Sequence, residues 1–323
     1  MFVLGLQGSP RKKGNTADLL ARVLGEAEKH GATTHRIEVT RKNIVPCREY
    51  IVCEKKGFCP IDDDMPSEIY PLLRRADVII VASPVFFYNM TAQLKALVDR
   101  CQTLWARRYK LKLNDPGYRM RRGFLLAVGA TQGKNLFEGI HLTARYFLDA
   151  VNARYEGGLT YRGIEKPGEL RKHPTVERDV SQAVERLLKP FMNRTKILFA
   201  CRENACRSQM AGAFAQTLAG ERLEVITGGS SPAAEINPMM VAAMQEKKID
   251  MAFRTPRSIE DSLAETQPDL MVTMGCGEVC PVVPGAERRD WSLLDPAGQK
   301  METMRRVRDE IEERVRSLLA ELV

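Results

Sequence analysis

The 323-residue chain lacks the features of several protein classes. Its longest apolar stretch, Ala76 to Phe87, is too short for a bilayer span and contains Ser83 and Pro84, so no membrane association is expected. Apolar residues precede basic ones at the start, the reverse of a secretory signal, which predicts a cytoplasmic protein. The net charge of +8 comes without RNA-binding aromatic motifs or zinc-finger spacing. We therefore expect anionic small substrates and no nucleic acid.

Two domains are predicted from the length, at about 100–200 residues per domain. Strand-like apolar runs alternate with helix-like segments twice along the chain, the pattern of parallel sheets with helices on both faces. Lys189-Pro190 interrupts the first series, and a new apolar strand begins at Lys196. The predicted fold class is α/β, with two doubly wound parallel-sheet domains at residues 1–190 and 195–323.

The second half also lacks histidine and tyrosine. All four histidines precede residue 190, and no tyrosine follows Tyr161. This excludes a Cys–His pair and a Cys2His2 zinc site inside the second domain. A carboxyl group must then supply any proton to a leaving oxygen. Asp295, held by Pro296, is the best-placed candidate, with Asp290 in reserve.

The segment Cys201–Arg207 carries the most informative motif. Its C-x5-R spacing follows an apolar strand and opens a helix, where backbone N–H groups and the helix dipole form a cradle for a tetrahedral oxyanion. Arg207 can clamp two oxygens of that anion, and the same field favours a nucleophilic thiolate at Cys201. A structural cysteine beside a surface arginine is the alternative. Asn204 and Ser208 favour the substrate-binding interpretation.

With Asp295-Pro296, this segment resembles the low-molecular-weight tyrosine phosphatase fold, which serves phosphatases and thiol-coupled arsenate reductases. The runs Arg207–Ala211 and Thr273–Pro281 resemble the reductase branch. The resemblance covers residues 195–323. It implies that arsenate is the substrate.

The same resemblance implies a thiol cascade. Cys201 forms an adduct with arsenate, and Cys276 resolves it, because arsenate must gain two electrons. Cys280 then carries the disulfide outward, with thioredoxin, glutaredoxin or mycothiol as candidate reductants. The C-x3-C spacing leaves the order of Cys276 and Cys280 open. Cys206 is expected to be structural.

Two loops of the first half have the composition of a cofactor site. Gly8–Thr16 places small residues and hydrogen-bond donors at a helix N-terminus, which suits phosphate, and the absence of G-x-G-x-x-G disfavours a Rossmann dinucleotide. Ser83–Thr91 follows a strand at the edge where open α/β sheets bind ligands. A turn-rich surface loop and ordinary core aromatics are the alternatives. The expected cofactor-binding residues are Ser9, Arg11, Asn15, Thr16, Pro84, Val85, Phe86, Phe87, Tyr88 and Asn89.

These loops resemble the flavodoxin-like NAD(P)H-dependent FMN reductases and the related iron–sulfur flavoproteins. The resemblance implies FMN, with its phosphate on the first loop and its ring at the second, NAD(P)H as reductant, and a homo-oligomer. Iron–sulfur relatives carry four cysteines, but Tyr50 occupies the second position here, leaving Cys47, Cys53 and Cys59. We therefore do not expect a stable cluster. A three-cysteine site, a redox dithiol and a vestige remain open. Cys101 is expected in the core.

Together the halves predict a fused arsenate reductase that converts arsenate to arsenite, with the FMN domain and NAD(P)H as electron supply. The alternative is a low-molecular-weight tyrosine phosphatase domain fused to a flavoprotein redox sensor. Cys276 and Cys280 would then be regulatory thiols. An arsenite-binding module without catalysis is a third hypothesis.

Overall fold

The computed structural model describes residues 1–275 and 281–322, and its chain divides into two compact units. The first contains residues 1–112 and 120–192, and the second contains residues 113–119 and 193–323. The short segment 113–119 belongs to the second unit because the N–H of Asn114 donates to the carbonyl of Lys248 at 2.8 Å. Each unit is built on one parallel sheet, so the predicted fold class is confirmed.

The first unit has a five-stranded sheet in the order β2-β1-β3-β4-β5, with every neighbouring pair parallel. This is the flavodoxin-like order, whose switch point lies between β1 and β3. Its elements are β1 (Phe2–Gln7), α1 (Asn15–Lys29), β2 (Thr33–Glu38), α2 (Val52–Lys56), α3 (Tyr70–Arg75), β3 (Val78–Pro84), α4 (Ala92–Arg100), α5 (Gln102–Tyr109), β4 (Arg122–Val128), α6 (Glu138–Ala150), β5 (Arg154–Tyr161) and α7 (Val176–Leu188).

Helices cover both faces of this sheet because its inner strands are apolar on both sides. Leu20 of α1 and Val184 of α7 pack with Phe124 of β4 in one core. Leu148 of α6 lies against Gly123 on the opposite face. Each fully buried aliphatic side chain contributes roughly 1.5–3 kcal/mol. The carboxyl ends of β1 and β3 are thereby held side by side.

The second unit has a four-stranded parallel sheet in the order β7-β6-β8-β9. Alternate residues of β6 enter different cores: Phe199 and Cys201 join the core that contains α8 and α11, while Ala200 packs with Ile259 of α10. The side chain of Cys201 is therefore directed to the α8 face. The elements are β6 (Thr195–Cys201), α8 (Arg207–Ala219), β7 (Leu223–Gly229), α9 (Pro238–Glu246), α10 (Ile259–Glu265), β8 (Leu270–Thr273), β9 (Glu287–Asp290) and α11 (Met301–Glu321).

The apolar pattern from Ala92 to Trp105 predicts one helix, but the structure has two there, because Cys101 separates α4 from α5. Cys101 is fully buried, as expected, and burial raises the pKa of its thiol. No helix within the described ranges is long and apolar enough to cross a membrane.

Candidate functional site: an oxyanion cradle and a cofactor cleft

The loop from Cys201 to Arg207 joins the end of β6 to the start of α8. The carbonyl groups of this loop accept hydrogen bonds from backbone N–H groups of the segment after β7. The N–H groups of the Cys201–Arg207 loop can therefore face away from that segment and surround an anion. Among residues 1–275 and 281–322, no side chain caps the N-terminus of α8, so the positive end of the helix dipole lies at the same place. The outward bonds are Ser230 N–H to Cys201 O (3.2 Å), Ser231 N–H to Arg202 O (2.8 Å), Ala233 N–H to Glu203 O (3.0 Å) and Asn237 N–H to Ala205 O (2.9 Å).

Cys201 sits at the base of this cradle with two polar neighbours. Its Sγ lies 3.0 Å from Ser208 Oγ and accepts the backbone N–H of Asn204 at 3.3 Å. The side-chain amide of Asn204 donates to Ser208 Oγ at 2.8 Å. The structure thus brings the predicted residues Cys201, Asn204 and Ser208 together, all of them buried. Hydrogen bonds of this kind stabilise a thiolate.

The tight turn at Asn204 explains a local glycine. Asn204 has φ of 50°, in the left-handed region that asparagine tolerates better than most residues. A Cβ at Gly229 would lie 2.8 Å from Arg202 O and 2.9 Å from Asn204 N. The close approach of β7 to the cradle therefore requires glycine at position 229.

Arg207 is tied to the predicted acid. Its Nη2 donates to Asp295 Oδ2 at 2.6 Å, and its Nη1 donates to Leu293 O at 3.4 Å. The Arg207 side chain is 7% exposed, whereas that of Asp295 is 54% exposed. The N–H of Ala297 donates to Asp295 Oδ1 at 3.1 Å, which holds the carboxylate in place. The acid predicted from Asp295-Pro296 thus lies beside the predicted anion clamp.

The reserve proton donor, Asp290, is hydrogen-bonded to residues outside the cradle. It accepts hydrogen bonds from the hydroxyl of Thr273 and from Arg288, and these partners lower the pKa of its carboxyl. A carboxyl that stays ionised is a poor proton donor. The geometry therefore favours Asp295.

The remaining cysteines of this unit divide into two groups. Burial raises the pKa of Cys206 to about 12, with the charge of Cys201 adding to the effect, and its Sγ packs 3.5 Å from Met304 Sδ. A neutral thiol in that position fits a structural role. The predicted resolving residues Cys276 and Cys280 lie outside the described residues.

In the first unit, a cleft of about 250 Å³ lies at the carboxyl ends of β1, β3 and β4. It brings together residues of both predicted loops: Ser9, Arg11, Asn15, Thr16, Pro84, Val85 and Phe86. The N-terminus of α1 carries no side-chain cap, and within residues 1–275 and 281–322 Arg11 has no ion-pair partner. A helix N-terminus next to an unpaired cation fits a phosphate group, and the apolar wall of Val85 and Phe86 fits a flat ring. The residues present therefore fit FMN.

Sequence reasoning missed the third wall of this cleft, formed by Ile164, Glu165 and Pro167. Asn15 holds that wall: its amide donates to Lys166 O at 2.9 Å, and its Oδ1 accepts the N–H of Gly168 at 3.0 Å. Asn15 is thus engaged with protein rather than directed at a ligand. The Pro167-Gly168 turn after β5 was the available signal.

The predicted ring-binding segment continues past the cleft as a tight hairpin. Phe86 and Asn89 exchange backbone hydrogen bonds at 2.8 and 3.0 Å. The two residues between them, Phe87 and Tyr88, have φ of 48° and 63°. Phe87 is fully exposed, and Phe87, Tyr88 and Asn89 do not line the cleft.

Three of the four cysteines of the first unit, Cys47, Cys53 and Cys59, lie on the long loop region between β2 and α3, which contains α2. Burial raises the pKa of Cys53, and the neighbouring Cys59 and Cys47 add to the effect. The pair Arg100–Asp63 is buried beneath this loop. Within the described part of the chain, no group of three or more His, Cys, Asp or Glu side chains is placed to hold a metal ion. The three thiols do not fit a four-thiolate cluster.

Comparison with known proteins matches each half of the chain to a family. Residues 1–152 match the family of NADPH-dependent FMN reductases, and residues 196–323 match the low molecular weight phosphotyrosine protein phosphatases. An iron-sulfur flavoprotein of Methanosarcina thermophila is 41% identical over 171 residues, which cover 51% of this chain and 85% of that protein.

Arsenate reductases are among the relatives that match the second half. A putative arsenate reductase of Halobacterium salinarum is 40% identical over 132 residues, 39% of this chain and 92% of that protein. A glutaredoxin arsenate reductase of Synechocystis is 36% identical over 129 residues, 39% of this chain and 98% of that protein. The chain is an oxidoreductase that belongs to both families, with an FMN reductase domain followed by a domain of the low molecular weight phosphotyrosine protein phosphatase family.

Proposed function

We propose that the protein reduces arsenate to arsenite, and that its flavin domain supplies the electrons from NAD(P)H. The observation that carries the proposal is the buried Cys201 thiol beside Ser208 and Asn204, with Arg207 at the start of the same helix. This arrangement presents a nucleophile, hydrogen-bond donors and a cation to one tetrahedral anion. The arsenate reductases among the relatives support arsenic as the reacting atom.

In the first step the Cys201 thiolate attacks arsenic, an S–As bond forms, and one oxygen leaves. Asp295 donates the proton that lets this oxygen leave as water. Arg207 and the loop amides hold the remaining oxygens, whose negative charge they match. Because Arg207 pairs with Asp295 in the structure, the arriving anion takes over the guanidinium and releases the carboxylate. The released carboxylate takes up a proton from the incoming hydrogen arsenate ion and then passes it to the leaving oxygen.

In the second step another thiol attacks Cys201 Sγ. The S–As bond breaks, its electron pair stays with arsenic, and arsenite leaves as a disulfide forms. The resemblance to arsenate reductases assigns this attack to Cys276, with Cys280 carrying the disulfide outward. Each turnover therefore oxidises two thiols and needs two electrons to restore them.

The electrons come from the first domain under this proposal. FMN held in the cleft would supply the hydride-accepting chemistry that links NAD(P)H to the thiols. Ser9, Arg11 and Thr16 with the N-terminus of α1 would hold its phosphate, and Val85 and Phe86 would cover its ring. Cys47, Cys53 and Cys59 are the candidate relay thiols, and thioredoxin, glutaredoxin or mycothiol are the alternative reductants. We also propose a homo-oligomer and a cytoplasmic location, where thiols stay reduced.

The test supplies purified protein with NADPH, FMN and arsenate in the absence of any external thiol protein. We expect NADPH oxidation that depends on arsenate and yields arsenite in equal amount. Cys201→Ser is the matched control and should oxidise no NADPH in response to arsenate. Activity that appears only with added thioredoxin or glutaredoxin would refute the internal electron supply. Absence of arsenite under every condition would refute the reductase.

A phosphatase is the second candidate, because the cradle presents the same groups to phosphate as to arsenate. Cys276→Ser separates the two functions. A reductase loses arsenate turnover with this substitution, whereas a phosphatase retains hydrolysis of an aryl phosphate, since water resolves a phosphocysteine.

A further inference from the structure

A line of buried side chains leads from helix α8 to the sulfur of Cys201. Gln209 Nε2 donates to Asn204 Oδ1 at 3.1 Å, Asn204 Nδ2 donates to Ser208 Oγ at 2.8 Å, and Ser208 Oγ lies 3.0 Å from Cys201 Sγ. Asn204 and Ser208 are 0% exposed, and Gln209 is 2% exposed. Water therefore does not compete for these bonds, and each one is strengthened by the low local dielectric.

One backbone group fixes the orientation of the Asn204 amide in this line. The N–H of Arg257 donates to Asn204 Oδ1 at 2.9 Å, and a backbone amide can only donate. The oxygen of the Asn204 amide must therefore face Arg257 and Gln209, and its nitrogen must face Ser208. The Arg257 peptide is itself held, because its carbonyl accepts the N–H of Gly229 at 2.9 Å.

The fixed direction has a chemical consequence at the sulfur. Ser208 Oγ accepts a hydrogen from Asn204, and a Cys201 thiolate can only accept, so the Ser208 hydroxyl donates to the ionised sulfur. A hydroxyl that donates to sulfur stabilises the thiolate over the thiol. If the Asn204 amide rotated, its oxygen would attract the Ser208 hydrogen and the thiolate would lose that donor.

We propose that Gln209 is a positioning residue that locks the Asn204 amide and so keeps the Ser208 hydroxyl directed at Cys201. Gln209 touches neither the sulfur nor the anion, and it acts only through Asn204 and Ser208. The proposal deepens the proposed function by assigning the reactivity of its nucleophile to a residue behind the cradle. It concerns the thiol itself and does not depend on which oxyanion the cradle accepts.

The test follows alkylation of Cys201 by iodoacetamide as a function of pH. Trypsin places Cys201 in the peptide Ile197–Arg202 and Cys206 in the peptide Glu203–Arg207, so mass spectrometry follows each thiol separately. For Gln209→Met we expect alkylation of Cys201 at neutral pH to slow by about fivefold, the effect of roughly one hydrogen bond, with a midpoint moved to higher pH. Alkylation of Cys206 should not change.

Gln216→Met is the matched control, because it makes the same change on the same helix at a residue that contacts Arg254 instead. Should Gln209→Met fail to fold, Gln209→Leu carries the test, since it also removes the donor and adds no charge to a site that is 2% exposed. A thermal melt establishes folding for each variant.

A double-mutant cycle separates positioning from general destabilisation. Ser208→Ala removes the last member of the line, and adding Gln209→Met to it should change Cys201 alkylation no further. Two results would overturn the proposal: a Gln209→Met protein that alkylates as the parent does, or additive effects in the double variant. If the double-mutant cycle gives the expected result but the parent protein reduces no arsenate, only the proposed function is refuted.

Discussion

The ion pair between Arg207 and Asp295 predicts that removing the acid strengthens anion binding while it slows catalysis. Asp295 Oδ2 accepts from Arg207 Nη2 at 2.6 Å, so an oxyanion must displace this carboxylate before Arg207 can clamp it. Asp295→Asn keeps the shape of the side chain and removes its charge. The variant should therefore offer the anion an unpaired guanidinium.

The exposure of the two partners sets the magnitude. Arg207 is 7% exposed but Asp295 is 54% exposed, so water screens one end of the pair. Such a pair contributes about 1 kcal/mol, the upper end of the range for exposed ion pairs, which corresponds to about fivefold tighter binding. Loss of the proton donor should lower kcat by about 10²–10⁴-fold. Tighter binding and slower turnover together distinguish this role from general damage.

Phosphate serves as the probe because its tetrahedral shape matches arsenate and the thiol cascade cannot reduce it. Its inhibition constant against arsenate should fall about fivefold in Asp295→Asn. Asp290→Asn is the matched control, since that carboxylate pairs with Thr273 and Arg288 and should leave both quantities unchanged. Phosphate binding that is unchanged or weaker in Asp295→Asn would refute the competition between carboxylate and anion.

Three further predictions concern the first unit. Arg11→Ala should weaken FMN binding by about fivefold at low salt and by less at high salt, because salt screens an exposed charge. Quenching of flavin fluorescence measures the affinity. A loss of affinity that does not depend on salt would contradict the role of the Arg11 charge. Asn15→Ala should lower the free energy of unfolding by about 1–3 kcal/mol, because Lys166 O and Gly168 N–H lose their partner, and urea denaturation that matches the parent would disprove the anchoring role. Burial acts to raise the pKa of Asp63, but its bonds to Arg100 and to backbone N–H groups lower it below the ordinary 3.8. The stabilisation by ionised Asp63 is present above pH 3.8 and is lost as the pH falls through the lower pKa of the folded state. Between about pH 6 and pH 3 the melting temperature should therefore fall more steeply for the parent than for Asp63→Asn. Parallel curves would refute a stabilising role for the Asp63 carboxylate.

The inner strands and the edge strand β7 (Leu223–Gly229) were predictable from their apolar residues, whereas the edge strands β2, β5 and β9 were not. β1, β3 and β6 are covered on both faces, so their sequences are continuous apolar runs. β9 (Glu287–Asp290) is an edge strand of four charged residues that is largely exposed, and its pairing with β8 is a backbone property. β5 contains Gly157 and Gly158, which weaken its apolar pattern.

The cradle shows the same division between local and distant information. Cys201, Arg207 and their spacing lie in one short segment, so a strand-to-helix loop could be predicted directly. The N–H of Arg257 reaches Asn204 across 53 positions of sequence. No local pattern encodes this contact, since any residue other than proline supplies the same N–H group. The orientation of the cradle's amide therefore emerges only from the fold.

The two chemistries proposed for this chain agree in their electron count. Reduction of arsenate to arsenite takes two electrons, a disulfide stores two, and hydride transfer from NAD(P)H delivers two. One hydride therefore restores one pair of thiols, and no one-electron carrier is required between them. Under the proposed function, no iron–sulfur cluster, which moves single electrons, is needed between NAD(P)H and the thiols. Cys47, Cys53 and Cys59 would then serve as a two-electron relay.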